Sequence, residues 1–390
     1  MNQGKYVFSQ IVTFLPARIF DRCVNSFQGD KWVKHFTCWN QLMCMIFGQL
    51  SNRDSLRDLL VCLTAHKTKH YHLGFGKNIS RSNLAEANEK RDCHIFEMFA
   101  YELIAEAQKV CISNVDFDKS ITGNVYAFDS TTIDLCLNVF WWATFRRAKG
   151  AVKLHTLLDV RTAIPVFMHI TPASVHDVNG LDFITYEPGG YYIMDRGYID
   201  FDRMATIDKH DSYFVMRSKA NLSFIRVSAE KTDKKNGILC DQRIKLKGAV
   251  SLEKYEKEFR RVKFYDAEQK RSFVFLSNNL TLPATEIALL YKNRWKIELF
   301  FKWIKQHLKI KSFWGISENA VRTQIYIAIS TYTLVAIIKA KLKLKQSPYE
   351  ILQIMSVSLL DKTRLPSLFE NPLYQDVKDQ NHIQLKINLI

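Results

Sequence analysis

The stretch Tyr291–Lys305, YKNRWKIELFFKWIK, sets one carboxylate, Glu298, among cations and bulky apolar residues, and it is the only acid between Glu286 and Glu318. Placed on a helix at ~100° per residue, Tyr291, Arg294, Glu298, Lys302 and Lys305 share one polar stripe. Ile297, Phe300, Trp303, Ile304 and Leu308 fill the remaining arc, which reads as a face turned to a core. A solvated face usually mixes charges as i,i+4 pairs, whereas this stripe flanks a lone acid with cations. Glu298 is then either an ion-pair partner of Arg294 or Lys302, or an acid that acts with those cations on a shared ligand.

Upstream, the chain changes period. NVYAFDS, TIDLCLNVF, VKLHTLLDV, IPVFMHIT and GYYIMDRGY are short runs rich in β-branched and aromatic residues, separated by turn signals. Two further acids stand where these runs are expected to end, Asp129 in AFDSTTIDL and Asp195 in IMDRGYID. Each alone reads equally as a cap or turn residue. Together they suit strand-end carboxylates that share a cation across a sheet. SYFVMRS, LSFIRVS, EFRRVKFYD and RSFVFLSNN continue the strand pattern with more polar character, as for a sheet with one solvated face. Before residue 115 and after Pro283 the pattern is helical, and Ser82 and Asn83 are candidate caps before a long amphipathic helix.

Composition narrows the partners. The 390 residues carry 55 Lys+Arg against 39 Asp+Glu, a net charge of +16, with 47% hydrophobic and 13% aromatic residues. That is a folded chain whose field favours polyanions, nucleic acid before acidic membrane. The eight cysteines have no CxxC spacing and read as reduced core residues of a cytoplasmic protein. The N-terminal stretch lacks the layout of a signal peptide. The apolar run Ile325–Ile338 is shorter than the ~20 residues of a membrane span, so a buried helix is expected and no membrane contact. Three carboxylates in a basic setting suit phosphoryl transfer, in which two divalent ions ~3.5–4 Å apart activate the attacking oxygen and stabilise the leaving one. Mg²⁺, which takes oxygen ligands, is the expected ion, and Mn²⁺ is expected to substitute. Neighbouring cations such as Lys302 would hold phosphates.

These residues resemble the three motifs of IS4-family DDE transposases. Tyr291, Arg294, Glu298 and Lys305 meet the family's Y-(2)-R-(3)-E-(6)-K signature in full, and FRRAKGAVKLHTLLD and ISRSNLAEANEKRD extend the likeness over nearly the whole chain. The resemblance implies an α/β fold: an RNase H-like catalytic core over 121–345, interrupted by a β-rich insertion at about 212–280. It adds a helical DNA-binding domain at 1–115 and a helical tail at 346–390 suited to dimerisation. It implies catalytic, metal-binding Asp129, Asp195 and Glu298, and cleavage of double-stranded DNA at terminal inverted repeats. The ends are then joined to target DNA in a homodimeric complex, with a hairpin intermediate and a flipped base in some relatives. Tyr291, Arg294 and Lys305 are then expected to bind end DNA, and Trp295 to stack.

The basic segment FRRAKGAVKLH offers Arg146, Arg147, Lys149 and Lys153 as phosphate contacts, or as a solvated hairpin tip. His155 reads as a hydrogen-bonded core histidine. Two rival functions differ in class. One is an inactive, sequence-specific DNA-binding relative, which would have no need of the intact acids. The other is a paired-carboxylate glycosidase, which would explain neither the basic stripe nor the charge.

Overall fold

The computed structural model describes residues 4–76, 79–111, 121–135, 142, 144–146, 149–232, 234–307 and 313–370. The N-terminal part is helical: α1 (Val7–Val12), α2 (Ala17–Ser26), α3 (Cys38–Leu50), α4 (Leu56–Ala65), α5 (His70–Leu73), α6 (Arg81–Lys90) and α7 (His94–Val110). The cap of α6 is Ser80, whose hydroxyl accepts from the Asn83 amide, and not Ser82 or Asn83. The expected long helix is divided between α6 and α7. Asn319 accounts for the break: its side-chain oxygen accepts from the Cys93 amide, and its amide nitrogen donates to the Arg91 carbonyl. A distant residue thus satisfies backbone groups that a continuous helix would have paired itself.

Strands β1 (Val125–Leu135), β2 (Thr144–Arg146), β3 (Lys149–Asp159), β4 (Ile164–Pro172), β5 (Tyr191–Met194) and β6 (Tyr213–Arg217) follow, with α8 (Phe201–Lys209) between the last two. NVYAFDS and the start of TIDLCLNVF form one strand, β1; Cys136–Phe140 lie outside the described residues. β3 is antiparallel to β1 on one side and β4 on the other; β5 is parallel to β1, and β6 to β5. The order β4-β3-β1-β5-β6, three antiparallel strands followed by two parallel ones, is that of an RNase H-like core.

The sheet does not stop there. β7 (Phe224–Ala229), β8 (Ile238–Leu246), helix α9 (Ala249–Lys254), β9 (Phe259–Asp266) and β10 (Arg271–Ser277) add an antiparallel continuation in the order β6-β10-β9-β8-β7. β6, within the stretch 212–280, is therefore the parallel neighbour of β5 and carries the sheet onward through β10.

Two-residue periodicity gives the sheet two buried faces. Val125, Ala127, Tyr191, Ile193 and Val215 enter one core; Tyr126, Phe128, Tyr192, Met194, Phe214 and Met216 enter the other. The first face is covered by α10 (Ala284–Lys292), α11 (Trp295–His307) and α12 (Glu318–Lys341), and α13 (Pro348–Ser358) packs outside α12. The second is covered by α8 through Met204 and Ile207. Helix α12 includes the apolar run Ile325–Ile338 and is long enough to cross a membrane, but 89% of its most apolar window is buried inside the protein. It packs on α7 and α3, so the N-terminal helices and the first sheet face share one continuous apolar cluster.

Candidate active site

The parallel register brings the first two acids together. Tyr126 lies beside Tyr192 and Ala127 beside Ile193; two residues further, Asp129 falls opposite Asp195. By alternation both belong to the face under α10 and α11. Asp195 directly follows β5, as expected of a strand-end acid. Asp129 does not end its strand, because β1 runs on to Leu135 alongside the long β3. Its side chain stays partly open, 23% exposed, where the neighbour β5 stops first.

Tyr291–Lys305 is not one helix. α10 ends at Lys292, the Asn293 side chain donates back to the Leu289 carbonyl, and α11 begins at Trp295. The stripe drawn on a single helix is therefore bent at Arg294, yet its members still converge. The Tyr291 hydroxyl donates to Asp195 Oδ1 at 3.2 Å. Arg294 donates to Asp129 Oδ2 at 3.3 Å and forms an ion pair with Glu298. Lys305 Nζ donates to the Thr132 carbonyl of β1 at 2.6 Å. Ile297, Phe300, Trp303 and Ile304 are buried as the wheel predicted; Leu308 lies outside the described residues. Glu298 thus has the predicted ion-pair partner and also faces Asp129 across a shared guanidinium.

Electrostatics follow from this crowding. Burial raises the Asp129 pKa, against the Ser130 amide and Arg294, which lower it. Burial, with Asp195 adding, pushes the Tyr291 hydroxyl up to about 12. Burial alone would lower the pKa of Arg294, but Tyr291, Glu298 and Asp129 raise it on balance. The donor set is three carboxylates, which suits a hard divalent cation, and a positive group already sits between two of them. Among the described residues, only Asp92, Cys93 and His94 hold three ligand atoms within 4.8 Å of one another. The three acids are wider, with Arg294 interposed.

The other predicted DNA contacts are placed unevenly. Trp295 is 48% exposed, and with Lys302 it lines a cleft of about 830 Å³ bounded by Leu299, Lys339, Lys343 and Tyr349. Lys153 is not presented at a hairpin tip. It is buried, donating to the Val175 carbonyl at 2.5 Å and pairing with Asp177 at 2.8 Å, because its position on β3 turns it onto the covered second face. Arg147 lies outside the described residues, as do the side chains of Arg146 and Lys149, whose backbones belong to β2 and β3. His155 is buried, with Nε2 3.0 Å from Thr171 Oγ1, but its Nδ1 has no partner.

Three groups next to Asp129 escaped the sequence reading. Tyr198, Ser130 and Asp177 form a chain on the second face. Tyr198 stands three residues beyond Asp195, close enough in sequence to be suspected. Asp177 has no such signal, because only the loop after β4 returns it to β1.

Compared with known proteins, residues 121–334 match the transposase DDE domain family, and the chain belongs to it. It is accordingly a DDE transposase, an enzyme that binds DNA, cleaves it and transfers its strands with the help of a divalent metal. Residues 3–76 match a domain of unknown function. A putative transposase of Sinorhizobium fredii is 33% identical over 260 residues, 65% of this chain and 70% of its own length. The putative transposase for insertion sequence element IS4SA of Synechocystis is 28% identical over 298 residues, 75% of this chain and 79% of its own. The probable transposase for element IS5377 of Geobacillus stearothermophilus is 28% identical over 212 residues, 53% and 54% of the two chains.

Proposed function

We propose that the chain is the transposase of an insertion sequence, with Asp129, Asp195 and Glu298 as the metal-holding acids of its DNA-cleaving site. One observation carries the assignment: Arg294 joins Asp129 to Glu298, while Tyr291, three residues before it, holds Asp195. Acids from three separated parts of the chain thus meet around two signature residues. Mg²⁺ is the assigned ion, with Mn²⁺ as substitute; when bound, such a cation polarises the scissile phosphate and activates the attacking oxygen. The protein's own part is placement. β1 and β5 fix the two aspartates, α11 brings Glu298 over them, and Arg294 and Tyr291 lie within reach of an incoming phosphate. DNA phosphates would draw Arg294 away from the acids, so that substrate and metal favour the same rearrangement.

Residues 1–115 bind the terminal inverted repeats, with Lys305, Lys302 and Trp295 contacting the ends and the β-rich stretch within 212–280 serving as the insertion. The tail from 346 supports a homodimer in which both ends are held, and cleavage through a hairpin is consistent with Tyr291 and Arg294 beside the acids. The test is a labelled DNA carrying the element's inverted repeats, incubated with Mg²⁺ or Mn²⁺ and then with EDTA. Metal-dependent nicking at the repeat boundary is expected, abolished in Asp129→Ala, Asp195→Ala and Glu298→Ala while binding persists. Binding by the wild type with no nick under any metal would instead indicate an inactive DNA-binding relative.

A further inference from the structure

We propose that Tyr198, Ser130 and Asp177 are positioning residues for Asp129, a network on the second face of the sheet that turns one carboxylate oxygen toward the cation. The inference rests on the reading of Asp129 as a cation ligand. The two oxygens of Asp129 have different surroundings. Oδ1 accepts the Ser130 backbone N–H at 2.8 Å and the Tyr198 hydroxyl at 3.2 Å. Oδ2 faces Arg294. An oxygen already holding two protein donors is a poor ligand, so Oδ2 is the one left for a positive partner.

Tyr198 is itself steered. Its hydroxyl also lies 3.2 Å from Ser130 Oγ, and Ser130 donates its only proton to Asp177 Oδ1 at 2.6 Å. With that proton committed, Ser130 Oγ can only accept, and the serine cannot itself donate to Asp129. The single Tyr198 proton is therefore shared in a three-centre bond between Ser130 Oγ and Asp129 Oδ1, both 3.2 Å away. Asp177 is anchored by the ammonium of Lys153, which is buried and also held by the Val175 carbonyl. The Tyr198 ring is fixed edge-on against Phe128 at 5.3 Å. Register explains the assembly: Ser130 pairs with His155 and Thr132 with Lys153, so Ser130 and Lys153 share the face opposite Asp129. Tyr198 reaches both faces because β5 has ended before it. Lys153, nominated from sequence as a phosphate contact, acts here through Asp177 instead. Outer groups of this kind commonly change metal affinity 10–100-fold when removed.

The experiment measures Mn²⁺ binding to the full chain without DNA by calorimetry, beside thermal unfolding in EDTA. Ser130→Ala and Tyr198→Phe each leave the Lys153–Asp177 pair and the Phe128 contact in place, so both are expected to unfold as the wild type does. Each is expected to bind Mn²⁺ about tenfold more weakly, and the double variant no more weakly than Tyr198→Phe alone, since both act through one hydroxyl. Asp177→Asn should fall in the same range. If Asp129→Ala loses Mn²⁺ binding while Ser130→Ala and Tyr198→Phe retain wild-type affinity, the positioning network is wrong. If Asp129→Ala binds like the wild type, the assignment of Asp129 as ligand fails, and this inference with it.

Discussion

At the scale of single residues, Arg294 stands out because it sits between two of the acids proposed to hold the metal ion. Its guanidinium is the resident counter-charge of Asp129 and Glu298. Replacing it with glutamine removes a competitor for those carboxylates and, on the proposed assignment, a contact for DNA phosphate as well. Arg294→Gln is therefore expected to bind Mn²⁺ more tightly than the wild type in calorimetry without DNA. Its cleavage of repeat DNA should drop at least ~100-fold, the scale of losing a group that stabilises transferring phosphate. His155 makes a separate prediction about pH. Burial, with Lys153 adding, lowers its pKa from 6.5 to about 4, so the folded protein holds it neutral where the unfolded chain protonates. The stability it contributes is complete above the unfolded value and is lost as pH falls toward 4, on the order of 3 kcal/mol in all. Urea unfolding from pH 7 to pH 4 should lose that part of its slope in His155→Gln.

At the scale of elements, α11 separates packing from function along one helix. Ile297 is fully buried and Trp295 is about half exposed. Ile297→Ala should cost about 2–5 kcal/mol by leaving a cavity, whereas Trp295→Ala, which leaves a surface cleft that water can refill, should cost about 2 kcal/mol or less, read as a shifted urea midpoint. The apolar face of α11 was legible because its 3.6-residue period is local. The break at Asn293 was not, since propensity gives no reason to end α10 there and the close contacts of Tyr291 and Arg294 with strand residues do. Strand lengths behaved alike: alternation marked β1 and β5, but their relative lengths, which leave Asp129 half-buried beside the end of β5, come from pairing with β3. Helix α3 offers a test of inter-element fit. A Cβ on Gly48 would run into the Trp314 ring. Gly48→Ala should destabilise by about 1–3 kcal/mol through overpacking, read as a shifted urea midpoint.

At the scale of the whole molecule, the net charge of +16 predicts DNA binding dominated by counterion release. If about 6–10 phosphates are contacted, raising salt from 50 to 200 mM should weaken binding roughly 10³–10⁵-fold for any duplex, measured by fluorescence anisotropy. A much shallower slope would mean that the basic residues are largely paired within the protein, as Lys153 is. By itself the sequence determined the element types, the buried apolar helix and the acids with their signature, because each is written in local period, charge or spacing. Only the tertiary structure decided that Asp129 and Asp195 are neighbours in register and that Arg294 sits between Asp129 and Glu298. It alone placed Lys153, paired with Asp177, on the sheet face opposite Asp129. Those facts depend on which strand stops first and which face a residue meets, and a chain read one residue at a time carries no record of either.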